Sequence, residues 1–310
     1  VVNLTEMRQL ELPDVHEYCP IGPDYDAFAF HSAIYENKIF YGWKCYASYP
    51  QRHEIIQANL LEETQFILSK MFKLTDEDLN PLLWIDAYGD RIVSTGGCGD
   101  PDESELCLFE PPYPNPGQVL IDEHQYGSYN SIWDDITIWY EPYDGADRFD
   151  ICGYDLTADE FFDITADFEY QFWPRMHGTR VVWMDLRFGE STPWDEWANC
   201  AVFMQDLTTD DEPVHVAGGD WIAAQPDVYG DVVVWSDLRE CSDPNDKNSF
   251  DGIEIWGKNL VTDQEAQITD VPGVYKGNPR IWGDRVFVEM DWDGGAKYGL
   301  FMFDLPTELL

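Results

Sequence analysis

The 310-residue chain contains no run of 18 or more apolar residues, so a membrane-spanning helix is not expected. Its first residues, VVNLTEMRQLELPD, lack a basic segment followed by an apolar one, and an export signal would have been removed from this sequence. Basic residues are scarce: 18 Lys and Arg stand against 60 Asp and Glu, giving a net charge of −42 and a pI near 4.1. Such a field repels phosphate backbones and anionic headgroups, which argues against nucleic acid and membrane surfaces as partners. It suits a solvated or salt-adapted surface, divalent cations and basic partners.

Catalytic motifs are also missing. The sequence has no H-E-x-x-H, no G-x-S-x-G, no glycine-rich phosphate loop and no paired carboxylates at a defining spacing. Its six histidines, at 16, 31, 53, 124, 177 and 215, are dispersed. The seven cysteines, at 19, 45, 98, 107, 152, 200 and 241, show no C-x-x-C spacing, which argues against zinc ribbons and thioredoxin chemistry. Cys98 and Cys107 flank GDPDESEL, so a disulfide between them would close a hairpin loop in an oxidising compartment. The odd count leaves one thiol free or intermolecular.

A hydrophobic fraction of 44% with 15% aromatic residues marks a chain that folds. What fills it is a repeat. PDVYGDVVVWSDLR (226–239), PRMHGTRVVWMDLR (174–187) and PRIWGDRVFVEMDW (279–292) are its clearest copies, and SIWDDITIWYEP (131–142) is a weaker one. AIYENKIFYGW (33–43) and DAYGDRIVSTGG (86–97) are degenerate copies. Anchoring each at the second turn residue gives Asn37, Asp90, Asp135, Thr179, Asp231 and Asp284, spaced by 53, 45, 44, 52 and 53. That period belongs to propeller blades.

Each copy continues into a second apolar run ending in Asp/Asn-Leu, as in ICGYDLTADE, AVFMQDLTTDDE and IEIWGKNLVTDQE, and then a short outer strand such as FFDIT or AQIT. One unit therefore reads as four antiparallel strands. The VVVW runs are continuous because a strand between neighbouring blades is buried on both faces. The expected fold is all-β: a six-bladed propeller spanning 1–310 as one domain, with an N-terminal extension over 1–30. Its segment TEMRQLEL supplies the outer strand of the last blade and closes the ring.

The string P-x-I-x-G-D-x-V-V-W-x-D-x-R, then D-L-x-T, then I-T resembles the TolB-like β-propeller repeat family, over about residues 30 to 310 and most strongly from Ser131 onward. The resemblance implies a periplasmic, secreted or cell-surface protein that binds other proteins or surface polymers. Some similar propellers are lyases or hydrolase-associated domains.

Candidate sites follow from the repeat. Tyr35, Tyr88, Trp133, His177, Tyr229 and Trp282 share the position before the turn; two residues earlier lie Ala33, Asp86, Ser131, Arg175, Asp227 and Arg280. Asp86, Arg175, His177, Asp227 and Arg280 would line a polar channel mouth, or else pack between blades. Trp139, Trp183 and Trp235 recur at one strand position and read as core, whereas Trp194, Trp197 and Trp221 lie in or near variable segments and read as exposed contacts. Asp185 with Arg187, and Asp237 with Arg239, read as structural pairs at strand ends.

Asp243, Asn245, Asp246, Asn248 and Asp251 offer oxygen ligands to Ca²⁺, although their loop lacks the EF-hand glycine and terminal glutamate and reads first as a solvated turn. The leading expectation is a non-enzymatic exported module, extracellular, cell-surface or periplasmic, that binds a protein or cell-surface glycan, alone or in a homo-oligomeric assembly. A polysaccharide lyase or hydrolase with a metal near the axial channel is the alternative, and a Ca²⁺-stabilised or salt-adapted structural domain the third.

Overall fold

The computed structural model describes residues 8–9, 29–36, 38–45, 52–62, 65–73, 83–95, 106–111, 118–121, 128–142, 149–166, 169–189, 199–244, 252–292 and 297–310. Strand β1 (Arg8–Gln9) precedes four consecutive strands, β2 (Ala29–Tyr35), β3 (Lys38–Cys45), β4 (Arg52–Glu62) and β5 (Gln65–Lys73), which pair in that order. The next sheet orders β6 (Leu83–Tyr88), β7 (Arg91–Thr95), β8 (Leu106–Phe109) and β9 (Gln118–Ile121). A third orders β10 (Ser128–Trp133), β11 (Ile136–Pro142), β12 (Phe149–Asp155) and β13 (Glu160–Asp163). The fourth has β14 (Gln171–His177), β15 (Arg180–Asp185), β16 (Ala201–Asp206) and β17 (Val214–Gly218), and the fifth β18 (Ala223–Tyr229), β19 (Val232–Asp237), β20 (Glu254–Asn259) and β21 (Glu265–Gln267).

Five blades are thus built from strands consecutive in sequence. The sixth blade expected from the repeat is not such a unit. It is a composite sheet of β22 (Tyr275–Trp282), β23 (Arg285–Trp292) and β24 (Lys297–Asp304) with the N-terminal β1 beside β24, where Arg8 faces Met302 and Gln9 faces Phe301. The reason lies beyond β24. Pro306 leads into a single 3₁₀ turn, Thr307–Leu309, and the fully buried Leu309 packs with Ile255 and Ile268 of the preceding sheet. Asn259 Nδ2 donates to Leu309 O at 3.1 Å, and a Cβ at Gly257 would stand 2.8 Å from Leu309 Cδ1. The chain leaves β24 to dock there.

The chain divides into two compact units, one of Val1–Leu10, Pro142–Gly153 and Phe161–Leu310, the other of Glu11–Glu141 and Tyr154–Glu160. Within each, the core lies between successive sheets. Val182, Val202, Val228, Val233 and Trp235 form one such layer in the first unit; Ala33, Ile85, Ile92 and Phe109 form one in the second.

The recurring residues have local causes. Each first hairpin turns through two residues, and the first of them has positive φ: Glu36, Gly89, Asp134, Gly178, Gly230 and Gly283. Glycine is the residue that adopts this conformation without steric cost. The leucine of Asp/Asn-Leu donates its N–H to the anchor carbonyl of that turn, Leu156 to Asp135, Leu207 to Thr179, Leu260 to Asp231 and Leu305 to Asp284, each at 2.8 Å. The Asp or Asn before it caps the following turn: Asp155 Oδ1 accepts from Thr157 N and Ala158 N, and Asn259 Oδ1 from Val261 N and Thr262 N. Thr165 and Thr269 close the outer strands by accepting from Ile151 N and Ile255 N, both at 2.8 Å.

Candidate functional site

The first strand of a blade carries a bulge that explains the recurrent proline. Ala224 pairs with Ser236 and Asp227 with Val234, so Gln225 and Pro226 together oppose Trp235. Trp173 and Pro174 likewise oppose Trp183, and Asn278 and Pro279 oppose Val288. A bulge leaves its extra residue outside the ladder, where a residue with no N–H is tolerated. The position six before the anchor is left-handed in five sheets: Trp84 (φ 51°), Tyr129 (59°), Trp173 (58°), Gln225 (54°) and Asn278 (48°). Bulky side chains adopt that region at a cost of about 1–3 kcal/mol.

Two residues further on lie four of the five expected channel-mouth residues, Asp86, Arg175, Asp227 and Arg280, and the two carboxylates join one blade to the next. Asp86 Oδ2 accepts from Ser131 Oγ at 2.6 Å and from Ile132 N at 3.1 Å. In the equivalent register, Asp227 Oδ2 accepts from Ile281 N at 2.9 Å. Arg175 is buried and Arg280 half-buried in the same slot. His177 Nδ1 accepts from Gly230 N at 3.1 Å, and its ring meets those of Tyr229 and Trp282 at centroid distances of 4.2 and 6.4 Å. Burial, with Arg180 nearby, lowers the His177 pKa to about 4, so at neutral pH the imidazole is an uncharged acceptor. In the other unit Tyr88 makes edge contacts with Tyr35 at 5.1 Å and Trp133 at 4.8 Å. Each of the three aspartate and histidine side chains meets the next blade through a backbone N–H.

Ion pairs bracket the same ends of the blades. The residue after the turn reaches the anchor of the following blade: Lys38 to Asp90 at 3.6 Å, Arg91 to Asp135 at 2.6 Å and Arg180 to Asp231 at 2.6 Å. The Arg91 guanidinium holds the Asp135 carboxyl below the usual carboxylate range.

The W-x-D-x-R string is a buried ladder. Trp183 Nε1 donates to Asp185 Oδ2 at 3.1 Å, and Arg187 donates to the same carboxylate through Nε at 2.9 Å and Nη2 at 2.7 Å. The Arg187 guanidinium then covers the Phe203 ring at 4.1 Å. In the fifth sheet Trp235, Asp237 and Arg239 repeat the pattern, with Arg239 over Trp256 at 4.1 Å and over Trp221 at 4.6 Å. Trp221, read from sequence as an exposed contact, is half-buried and donates Nε1 to Asp237 Oδ2 at 3.0 Å. Trp139 keeps only the acid, Glu141 Oε2 at 3.1 Å.

No family model matches the chain, and no curated protein does. Solved structures do. TolB from Acinetobacter baumannii superposes with a TM-score of 0.54 at 12% identity, over 86% of this chain and 64% of that one, so the chain spans under two thirds of that protein. A putative TolB from Agrobacterium tumefaciens gives 0.56 at 10% identity over 91% of both chains. The fold is that of a TolB-like β-propeller. It is shared by the propeller domain of the Trilobed protease from Pyrococcus furiosus, with a TM-score of 0.58 at 11% identity over 90% of this chain and 83% of that one.

On this TolB-like frame several expected site residues fall outside the described residues: Trp194, Trp197, Asn245, Asp246, Asn248, Asp251 and Cys98. Asp243 is exposed, two residues after the buried Cys241 and four after Arg239. Among the described residues no three His, Cys, Asp or Glu side chains gather as a metal site. Cys107 is fully buried on β8, and its expected pairing with Cys98 lies outside the described residues. Cys152, Cys200 and Cys241 are buried thiols outside any disulfide, so more than one thiol is left over. Burial pushes the Cys200 thiol well up, leaving it protonated and inert.

The left-handed slot escaped the sequence reading. Only the proline after it, at 174, 226 and 279, could have pointed there, because a proline inside a strand marks an edge or a bulge.

Proposed function

We propose that this chain is a non-enzymatic, exported propeller that binds a protein or a cell-surface glycan through side chains that vary on a fixed frame. One observation carries the reading. Asp86, Asp227 and His177 hold neighbouring blades together through backbone N–H groups, while the left-handed slot of the first strands carries Trp84, Tyr129, Trp173, Gln225 and Asn278, four residue types in five sheets. A constant scaffold with varying presented residues is how repeat proteins build binding surfaces. Ca²⁺ on the loop 243–251 belongs to the same proposal, and a rise in melting temperature in Ca²⁺ over EDTA supports it.

The propeller of the Trilobed protease favours a second reading, in which the chain is the non-catalytic domain of a larger hydrolase. The two predict different partners. Surface immobilisation followed by exposure to purified envelope glycans and to exported proteins of the source organism is the test. Saturable binding, competed by free ligand, supports a module; a monomer that binds nothing overturns it, and retention of only a hydrolase subunit favours the second reading.

A further inference from the structure

The outer strands of the blades are short, with one exception. β9 and β13 have four residues each, β17 five and β21 three, whereas β5 has nine and its neighbour β4 has eleven. β5 ends the sheet order β2-β3-β4-β5, so among the described residues β4 is its only ladder partner. An edge strand of that length runs for about 30 Å and presents a row of backbone N–H and C=O groups to any strand that can lie beside it. Such edges are normally shortened, interrupted by proline or studded with charge. β5 reads QFILSKMFK: it has no proline and, in a chain with 60 Asp and Glu, no acid.

The strand is close to a palindrome of residue classes about Ser69. Antiparallel pairing of two copies with Ser69 on the two-fold axis sets Phe66 against Phe72, Ile67 against Met71, Leu68 against Lys70 and Gln65 against Lys73. Aromatic and apolar pairs directly opposite stabilise a sheet, and like charges directly opposite destabilise it. No lysine meets a lysine in this register, whereas parallel in-register pairing would oppose both. Lys73, which faces Glu54 within its own sheet, also comes beside the end of the other copy where Glu62 pairs with Gln65. Ser69 is itself the extra residue of a bulge, between the pairs Gln57 with Lys70 and Ala58 with Leu68, so the axis falls where β4 has no partner for it.

We infer that β5 is a self-association strand: two copies of this chain pair β5 antiparallel about Ser69, joining their four-stranded first sheets into one. The contact is isologous and uses the edge of each copy once, so it closes at the dimer. Repulsion between two chains of net charge −42 opposes it, and salt screens that repulsion. The inference goes beyond the binding reading and holds whichever partner the chain takes.

Sedimentation of the whole chain from micromolar to submillimolar concentration, in low and in molar NaCl, tests it together with amide hydrogen exchange over 65–73. The expected result is a mass that rises from 35.8 kDa to twice that value and no further, more readily in molar NaCl, with protection of 65–73 rising alongside. Ser69→Lys sets two lysines opposite one another on the axis and should weaken the dimer tenfold or more, and an equal mixture of S69K with S69E should recover it. If S69K fails to fold, the exchange data on the unaltered chain decide alone. A monomer throughout, a mass beyond two copies, a dimer whose 65–73 amides gain no protection, or a folded S69K that dimerises unchanged overturns the inference and leaves the binding reading intact. Protection of 65–73 that requires a captured envelope protein overturns the second copy as the occupant of this edge.

Discussion

Trp235 donates its indole N–H to Asp237 Oδ2 across 2.7 Å, two residues along the same strand, with both residues buried. The same carboxylate accepts from Trp221 and from the backbone and guanidinium of Arg239. Removing it leaves two indole donors without this acceptor and the half-buried Arg239 with Glu265 as its remaining acid, at 2.7 Å. Asp237→Ala should lower the unfolding free energy by about 3–5 kcal/mol. Glu141→Ala, which removes one indole partner in the third sheet, should cost about 1 kcal/mol. Urea denaturation gives both values, and equal losses would contradict the ladder.

The hairpin turns separate backbone strain from packing. A Cβ added at Gly230 meets nothing within 4 Å, yet φ is +58° there. Gly230→Ala should therefore destabilise by about 1–2 kcal/mol through conformation alone. Glu36 occupies the same position with φ 56°, and Glu36→Gly should stabilise by about 1 kcal/mol. Thermal melts check the opposed signs.

His177 makes stability depend on pH. Its native pKa is lowered from 6.5 to about 4, chiefly by burial, so below 6.5 the unfolded chain takes up a proton that the native one refuses. The contribution is complete above pH 6.5 and is lost as pH falls towards 4. It is worth about 1–2 kcal/mol after allowance for the partly exposed ring. His177→Gln, whose amide oxygen can still accept from Gly230 N, should flatten the fall measured by melting between pH 7 and 4.5. Parallel curves for the two proteins would remove His177 as the cause.

A buried pair joins the fifth sheet to the composite one. Lys276 Nζ lies 3.2 Å from Glu254 Oε1 and donates to Val271 O at 2.6 Å and Val274 O at 2.9 Å. Burial lowers the Lys276 pKa and raises that of Glu254. Lys276→Met should destabilise by about 3 kcal/mol or more, because it strands a buried carboxylate; Lys276→Met with Glu254→Gln should recover part of that loss in a double-mutant cycle.

Periodicity made the blades legible, since Trp183 and Trp235 in continuous apolar runs mark strands covered on both faces. Asp185 with Arg187 and Asp237 with Arg239 were legible as strand-end pairs by spacing alone. The composite sheet was legible from its N-terminal side, where TEMRQLEL contains β1. Its other half was not, because docking of Leu309 against Gly257 is a contact between residues 52 apart with no pattern to announce it. The left-handed slot was hidden for a similar reason: φ at Trp84 and Tyr129 contradicts local preference, and only the pairing register reveals why the chain accepts it.

Stability and binding measured side by side on Asp237→Ala and Trp84→Gln test the central claim most directly, that repeated residues hold the frame and varied ones meet the partner. The account predicts a large fall in melting temperature with unchanged affinity for the captured ligand in D237A, measured below its melting range, and the reverse in W84Q. A W84Q protein that unfolds early, or a stable D237A protein that no longer binds, would contradict it.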